Sequence, residues 1–142
     1  MDIRLATSDD LPALCRLDTY AAQHPERQDE IRSRIDQDAC RVIDVGNELA
    51  AYGIMTNHFF GQSFIELLMV GVRFRRSGIG LALVANFQDS CRGRKLFTST
   101  NLSNHPMQSL LLKAGFRSSG YIDNLDAGDP ELAFSIPAQN SD

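Results

Sequence analysis

No run of the 142-residue chain reaches the about 18 consecutive apolar residues that a membrane-crossing helix needs, so a membrane is not an expected partner. The first residues, Met1-Asp2-Ile3-Arg4, carry no apolar leader and read directly into structure, which makes the cytoplasm the expected compartment. Cysteine is scarce. Cys15, Cys40 and Cys91 are odd in number, far apart and free of CxxC or Cys/His metal spacing, so neither a disulfide framework nor a metal site is expected. They read instead as reduced, buried thiols. Excess positive charge is also missing: the net charge of −4 argues against nonspecific nucleic-acid binding. The chain has no internal repeat, low-complexity block or interdomain linker. It lacks the GxxxxGK[ST] signature of a Walker-type phosphate loop as well.

What is present is ordinary globular composition, 43% hydrophobic and 23% charged. A chain of this length makes one domain able to bury about two-thirds of its unfolded surface. That domain is expected over residues 1–136, followed by a polar, frayed tail at 137–142. Residues 3–6 read as an edge strand. Thr7 or Ser8 then caps a helix with Asp9 and Asp10 in its first turn and Leu11, Leu14, Leu17 and Ala21 on its buried face. His24-Pro25 ends that helix, and a more polar one runs over residues 26–36. Gly46-Asn47 is the turn of an antiparallel hairpin, and the apolar run 64–74 is a central strand. A helix follows Gly80 with Leu83, Val84, Phe87 and Cys91 on one face, then a strand at 96–100. Asn104 caps a further helix that ends at Gly115, and strands 116–122 and 131–136 flank an acidic loop. The order β-α-α-β-β-β-α-β-α-β-β predicts an α+β fold: a mixed, mostly antiparallel sheet of six to seven strands with about four helices.

The functional signal lies in Arg75-Arg76-Ser77-Gly78-Ile79-Gly80, where a strand passes into a helix. Glycine lets the backbone approach a ligand closely, and a helix N-terminus presents unpaired N–H groups with the positive dipole end. Together they suit phosphate oxygens, and each charge-assisted N–H bond contributes roughly 1.5–3 kcal/mol. Arg75 and Arg76 add charge at the rim, and Arg92, Arg94 and Lys95 are candidates for the far end of a long ligand. A dinucleotide fingerprint fails at its third glycine, since Leu83 stands there, and the next strand lacks the acidic residue that would hold a ribose.

The hexapeptide, preceded by Ile65-Glu66-Leu67-Leu68-Met69-Val70, resembles the acetyl-CoA motif Q/R-x-x-G-x-G/A of the GCN5-related N-acetyltransferases (GNAT). Asn104 followed by Leu110-Leu111-Leu112-Lys113-Ala114-Gly115-Phe116 is similar to that family's N…LYxKxGF segment, and the element order also matches. The resemblance implies an acetyl-CoA-dependent N-acetyltransferase whose acceptor amine attacks the thioester directly in a ternary complex. It implies that main-chain N–H groups of Arg76, Ser77, Gly78, Ile79, Gly80 and Leu81 hold the CoA pyrophosphate, with Arg75 at the rim. Main-chain groups of Met69, Val70 and Val72 would pair with the pantetheine arm, the Val70 N–H serving as oxyanion donor. Asn104 has two readings, a contact to the pantetheine arm and a plain helix N-cap. Glu66 likewise is either the general base for the amine or a solvent-facing glutamate on a half-buried strand.

The chain departs from the family pattern at two places. Gly71 and Val72 replace a polar residue and Pro, and Leu111 replaces the Tyr that returns a proton to the CoA thiolate. Tyr121, Ser99, Ser109 and His105 are alternative proton donors, while His24, His58 and His105 are each isolated in sequence. With Leu111 in that place, the alternative function is an acyl-CoA-binding regulatory module of the same fold with little or no catalysis. The acceptor is an amine-bearing small molecule or peptide. The acidic loop, Asp123 to Pro130, is either an attractor of cationic amines or a polar turn. Phe59, Phe60 and Phe64 around Gly61 suit a pocket, a dimer contact or core; homodimers are common in the family.

Overall fold

The computed structural model describes residues 1–139. Its elements are β1 (Asp2–Leu5), α1 (Leu11–Leu17), α2 (Thr19–Gln23), α3 (Pro25–Asp36), β2 (Cys40–Val45), β3 (Glu48–Phe59), β4 (Gln62–Val70), α4 (Ile79–Ser90), β5 (Leu96–Asn101), α5 (His105–Lys113), β6 (Arg117–Ile122) and β7 (Glu131–Ile136). Short 3₁₀ turns cover Ser8–Asp10 and Val72–Phe74. The seven strands hydrogen-bond in the order β1-β2-β3-β4-β5-β7-β6. Pairing is antiparallel for β1/β2, β2/β3, β5/β7 and β6/β7 and parallel for β4/β5, which is the mixed, mostly antiparallel sheet expected.

The chain groups into two compact units: Met1–Met55 with Leu67–Leu83, and Thr56–Glu66 with the chain from Val84 onward. In the first unit, Leu14, Ala21, Ile31 and Ile35 bury the helical faces against Val42, Tyr52 and Ile54, with Leu67 and Met69 of β4 packed onto the same cluster. The single helix expected up to His24 is broken at Asp18. There the backbone is extended (φ −92°, ψ 98°) and the carboxylate caps α2, accepting from the N–H of Tyr20 and Ala21 at 3.1 Å each. Tyr52 Oη donates to the other oxygen at 2.5 Å and Arg27 Nη1 at 3.0 Å. A buried carboxylate with four donors is satisfied only at a break in the helix, because a continuous helix would spend those N–H groups on its own ladder.

The strand expected over 64–74 ends at Val70. The Gly71 N–H still donates to the Ala50 carbonyl at 2.8 Å, but Phe74 N–H turns back to the Gly71 carbonyl, so Val72 sits in a 3₁₀ turn rather than on the strand. A Cβ on Gly71 would stand 3.3 Å from the Ala50 oxygen and 3.4 Å from side-chain carbons of Leu17 and Phe74. A side chain at this position therefore requires its neighbours to give by a few tenths of an ångström. Gly71→Ala is expected to cost roughly 1 kcal/mol, lowering the thermal unfolding midpoint by a few degrees.

The second unit starts with a two-residue turn at Phe60-Gly61, both with positive φ (52° and 74°), which joins β3 to β4. Ser63, Phe64 and Ile65 pair in parallel with Leu96, Phe97 and Thr98, and Thr98 Oγ1 donates to the Ile65 carbonyl at 3.0 Å. Val84, Phe87, Leu96, Leu111, Phe116 and Phe134 are buried. Gly115 follows α5 at φ +96°, the left-handed stop that the sequence signalled. The tail is not wholly frayed: Gln139 N–H donates to the Gly93 carbonyl at 2.7 Å. The rest of it, residues 140–142, lies outside the described residues.

Candidate active site

In the first unit the chain leaves β4 at Val70, makes the 3₁₀ turn and enters α4 through residues 75–78. Two residues of that connection are left-handed, Arg76 at φ 61° and Gly78 at φ 83°. The Ser77 hydroxyl donates to the Phe74 carbonyl and so ties the loop's middle to the turn before it. Ala82 N–H closes the first turn of α4 onto the Gly78 carbonyl at 3.0 Å. The N–H groups of Ile79, Gly80 and Leu81 precede that bond and have no partner within the helix. No atom lies within 4 Å of where a Cβ on Gly78 would sit. The loop thus offers converging amide donors, a helix dipole and open space, which fits a pyrophosphate chemically and sterically.

The arginines around the loop differ. Arg73 pairs with Glu48 at 2.5 Å and lies over the Phe74 ring, 5.3 Å from its centroid. Arg75 Nε donates to the Val70 carbonyl at 3.3 Å, bracing the end of β4. The Arg76 guanidinium has no hydrogen-bond or ion-pair partner among the described residues. Met69 sends its side chain into the core cluster, leaving its main chain as what it can offer a ligand.

In the second unit, Glu66 is not a freely solvated glutamate. Its side chain is 17% exposed; Oε1 accepts from Thr56 Oγ1 at 2.7 Å and lies 3.9 Å from Nδ1 of His58, itself 65% exposed. The sequence reading missed Thr56 and His58 as partners, although the Gly61 turn, once placed, folds 56–59 back on 62–66. Phe59 stacks on Phe64 (centroids 4.7 Å) and contacts Phe97 (5.3 Å), while Phe60 is exposed at the turn.

Asn104 does cap α5, its Oδ1 accepting from Met107 N–H at 3.2 Å. Leu111, at 1% exposure, is core. Of the alternative proton donors, Ser99 gives its hydroxyl hydrogen to Glu131 at 2.8 Å, and Tyr121 is 68% exposed on β6. The acidic loop uses its carboxylates internally. Asp129 accepts from Ser103 N–H (3.0 Å) and Ser103 Oγ (2.6 Å), and Asp126 from Asn101 Nδ2 (2.9 Å). These bonds pin the loop to the β5–α5 connection and favour the turn reading of its acidity. Arg92 and Arg94 follow the C-terminal end of α4 and, with Asp89 and Pro137, line a pocket of about 300 Å³. Among the described residues no group of His, Cys, Asp or Glu is placed to hold a metal. No helix there is long and apolar enough to cross a membrane. All three cysteines are free, Cys40 and Cys91 buried and Cys15 partly so.

The Acetyltransferase (GNAT) family model matches residues 8–116, through both the loop and the Asn104 segment. The chain belongs to the GNAT acetyltransferase family. Solved structures agree on the GNAT fold. A GNAT-family acetyltransferase from Bacillus cereus superposes with a TM-score of 0.89 at 29% identity, covering 98% of each chain. The ribosomal-protein-S18-alanine N-acetyltransferase of Escherichia coli matches with a TM-score of 0.80 at 19% identity, over 99% of this chain and 96% of that one. A streptothricin acetyltransferase from Bacillus anthracis, solved with acetyl coenzyme A, matches with a TM-score of 0.65 at 15% identity over 70% and 62%. No curated protein matches the sequence. Against the GNAT pattern, Leu111 in place of Tyr stands as a departure, and its side chain is buried.

Proposed function

We propose that residues 1–136 act as one domain that transfers an acetyl group from acetyl-CoA to a primary amine. The observation that carries this reading is the loop 75–81, with its left-handed residues, open space at Gly78 and unpaired first-turn amides of α4. Bound there, acetyl-CoA supplies an activated thioester. Amides of residues 76–81 hold its pyrophosphate and main-chain groups of Met69, Val70 and Val72 align its pantetheine arm. The Val70 N–H donates to the thioester oxygen as charge gathers on it, and the Arg75 bond to the Val70 carbonyl steadies the strand end that presents it. Asn104 keeps its Oδ1 for the helix and has its amide NH₂ for the coenzyme.

Glu66 is the proposed base. A lysine-like amine costs about 4 kcal/mol to deprotonate near neutral pH. A carboxylate that is sheltered and steadied by Thr56 is suited to take that proton, directly or through water. Glu66→Gln is expected to lower kcat about a hundredfold while the Kd for acetyl-CoA stays within twofold, as single-turnover kinetics and calorimetry would show. An unchanged kcat would remove Glu66 from the chemistry.

Leu111 favours a second reading, an acyl-CoA-binding module with little catalysis, because no hydroxyl stands where the family's proton donor does. The separating experiment follows thiol release from acetyl-CoA with a chromogenic reagent across polyamines, amino acids, aminoglycosides and short peptides. Release with one amine class supports the transferase; tight acetyl-CoA binding with no release supports the module. The three free cysteines are consistent with a reducing compartment, and the cytoplasm is the proposed one.

A further inference from the structure

We propose that the cavity at the C-terminal end of α4 is a binding site for a small zwitterion, an α-amino acid with an apolar side chain. The loop 75–78 enters the first turn of α4, whereas this cavity lies past its last, so the inference does not rest on the acyl-CoA reading. The cavity measures about 300 Å³, at the lower end of small-molecule sites. Arg92 and Gly93 are both left-handed (φ 52° and 79°), which turns the chain sharply over the helix end. The tail forms part of the wall, held there by the Gln139 N–H bond to the Gly93 carbonyl at 2.7 Å.

Charges of both signs line this cavity without being paired inside the protein. Among the described residues, neither the Arg92 guanidinium nor the Asp89 carboxylate has a hydrogen-bond or ion-pair partner. Arg94 donates through Nε to the Cys91 carbonyl at 3.2 Å, which steadies its guanidinium and leaves both Nη nitrogens for a ligand. The arginines are not consumed in capping the helix, because the Gln88 and Asp89 carbonyls already accept from the N–H of Cys91 and Arg92 at 3.0 and 3.2 Å. Guanidinium groups recognise a carboxylate through paired, charge-assisted hydrogen bonds. Asp89 and the negative end of the α4 dipole repel a bare anion and favour a cation beside it. A carboxylate alone meets one half of this field and an amine alone the other. An α-amino acid carries both groups on a single carbon. Ile136 and Pro137 add an apolar wall, which suits a side chain such as leucine's, and the amides of Gln88 and Gln139 are at hand for the remaining polar atoms.

The test is calorimetry and thermal unfolding of the full chain, without coenzyme, against L-leucine, isocaproate and isoamylamine. The last two are leucine without its amino group and leucine without its carboxylate. L-leucine is expected to bind about tenfold more tightly than either fragment and, at about ten times its Kd, to raise the unfolding midpoint by about 4 °C. Arg92→Gln and Asp89→Asn each remove one half of the match. Each should weaken leucine about tenfold while the midpoint without ligand stays within about 1 °C of wild type. Asp89→Asn should leave isocaproate bound as well or better, since the group that repels it is gone. Equal affinity for leucine and isocaproate would overturn the proposal, as would leucine binding that both variants leave intact, which would put the amino acid elsewhere on the chain. No binding of leucine at about 10 mM would overturn it too. None of these outcomes depends on acetyl-CoA, so this proposal and the transferase reading fail separately.

Discussion

Asp18→Ala is expected to lower the unfolding midpoint by about 10 °C, a larger loss than Gly71→Ala or Gly78→Ala should cause. Asp18 is fully buried and takes four hydrogen bonds, from Tyr20 N, Ala21 N, Arg27 Nη1 and Tyr52 Oη. Removing one partner of a buried charged network costs about 3–5 kcal/mol, because the groups left behind remain desolvated, and each kcal/mol moves the midpoint about 2–4 °C in a chain of this size. Here the stranded groups are a guanidinium, a phenol and the two amides that start α2. Asp18→Asn keeps the shape but loses the charge facing Arg27, so it should fall between wild type and Ala.

The same network predicts a pH signature. Burial, and then the hydrogen bond to Asp18, push the Tyr52 phenol well above its usual value. The folded protein therefore holds the Tyr52 proton where the unfolded chain has released it. The stabilisation is complete below about pH 10, the ordinary tyrosine value, and is lost progressively as pH rises beyond it. Denaturant titrations at pH 8 and pH 11 should show that loss, and Tyr52→Phe should flatten it. A loss of equal size in Tyr52→Phe would assign the alkaline limb to other groups.

Gly78→Ala is the second large effect. The Kd for acetyl-CoA is expected to rise about a hundredfold while the unfolding midpoint drops only a few degrees. The free protein has room for the methyl, since nothing lies within 4 Å of its position, and so the folding penalty is limited to the left-handed φ of 83°, roughly 1–2 kcal/mol. The ligand has no such room: a pyrophosphate in contact with the loop amides must occupy the space the methyl takes. Large affinity loss with small stability loss is the pattern of a ligand cradle. Affinity within twofold of wild type would place the pyrophosphate elsewhere.

Much of the fold is legible in local signals. Gly46-Asn47 sets the first hairpin, Asn104 and Gly115 bound α5, and the 3.6-residue spacing of Leu83, Val84 and Phe87 marks a face of α4 that is indeed buried. These are contacts within one turn or one element, and the residue types state them directly. The loop motif is legible for the same reason: a glycine at +83° is a backbone requirement written in one letter.

Partnerships between distant residues are a different matter. Asp18 sits inside a helical pattern and reads as one more helical position, until Tyr52, 34 residues away, claims its second oxygen. Glu66 reads as either a general base or a solvent-facing glutamate, and only folding shows Thr56 closing on it across a turn. The acidity of residues 123–130 reads as either a lure for cations or a polar turn, and folding shows Ser103 and Asn101 taking up Asp129 and Asp126. The sequence by itself determined the family, the order of most elements and the left-handed glycine loop before α4, because each rests on chain-local geometry. Only the tertiary structure showed that Asp18, Asp126 and Asp129 are held by internal hydrogen bonds and that Glu66 is sheltered beside Thr56. A charged group's role follows from what surrounds it, and those surroundings come from parts of the chain brought together only by folding.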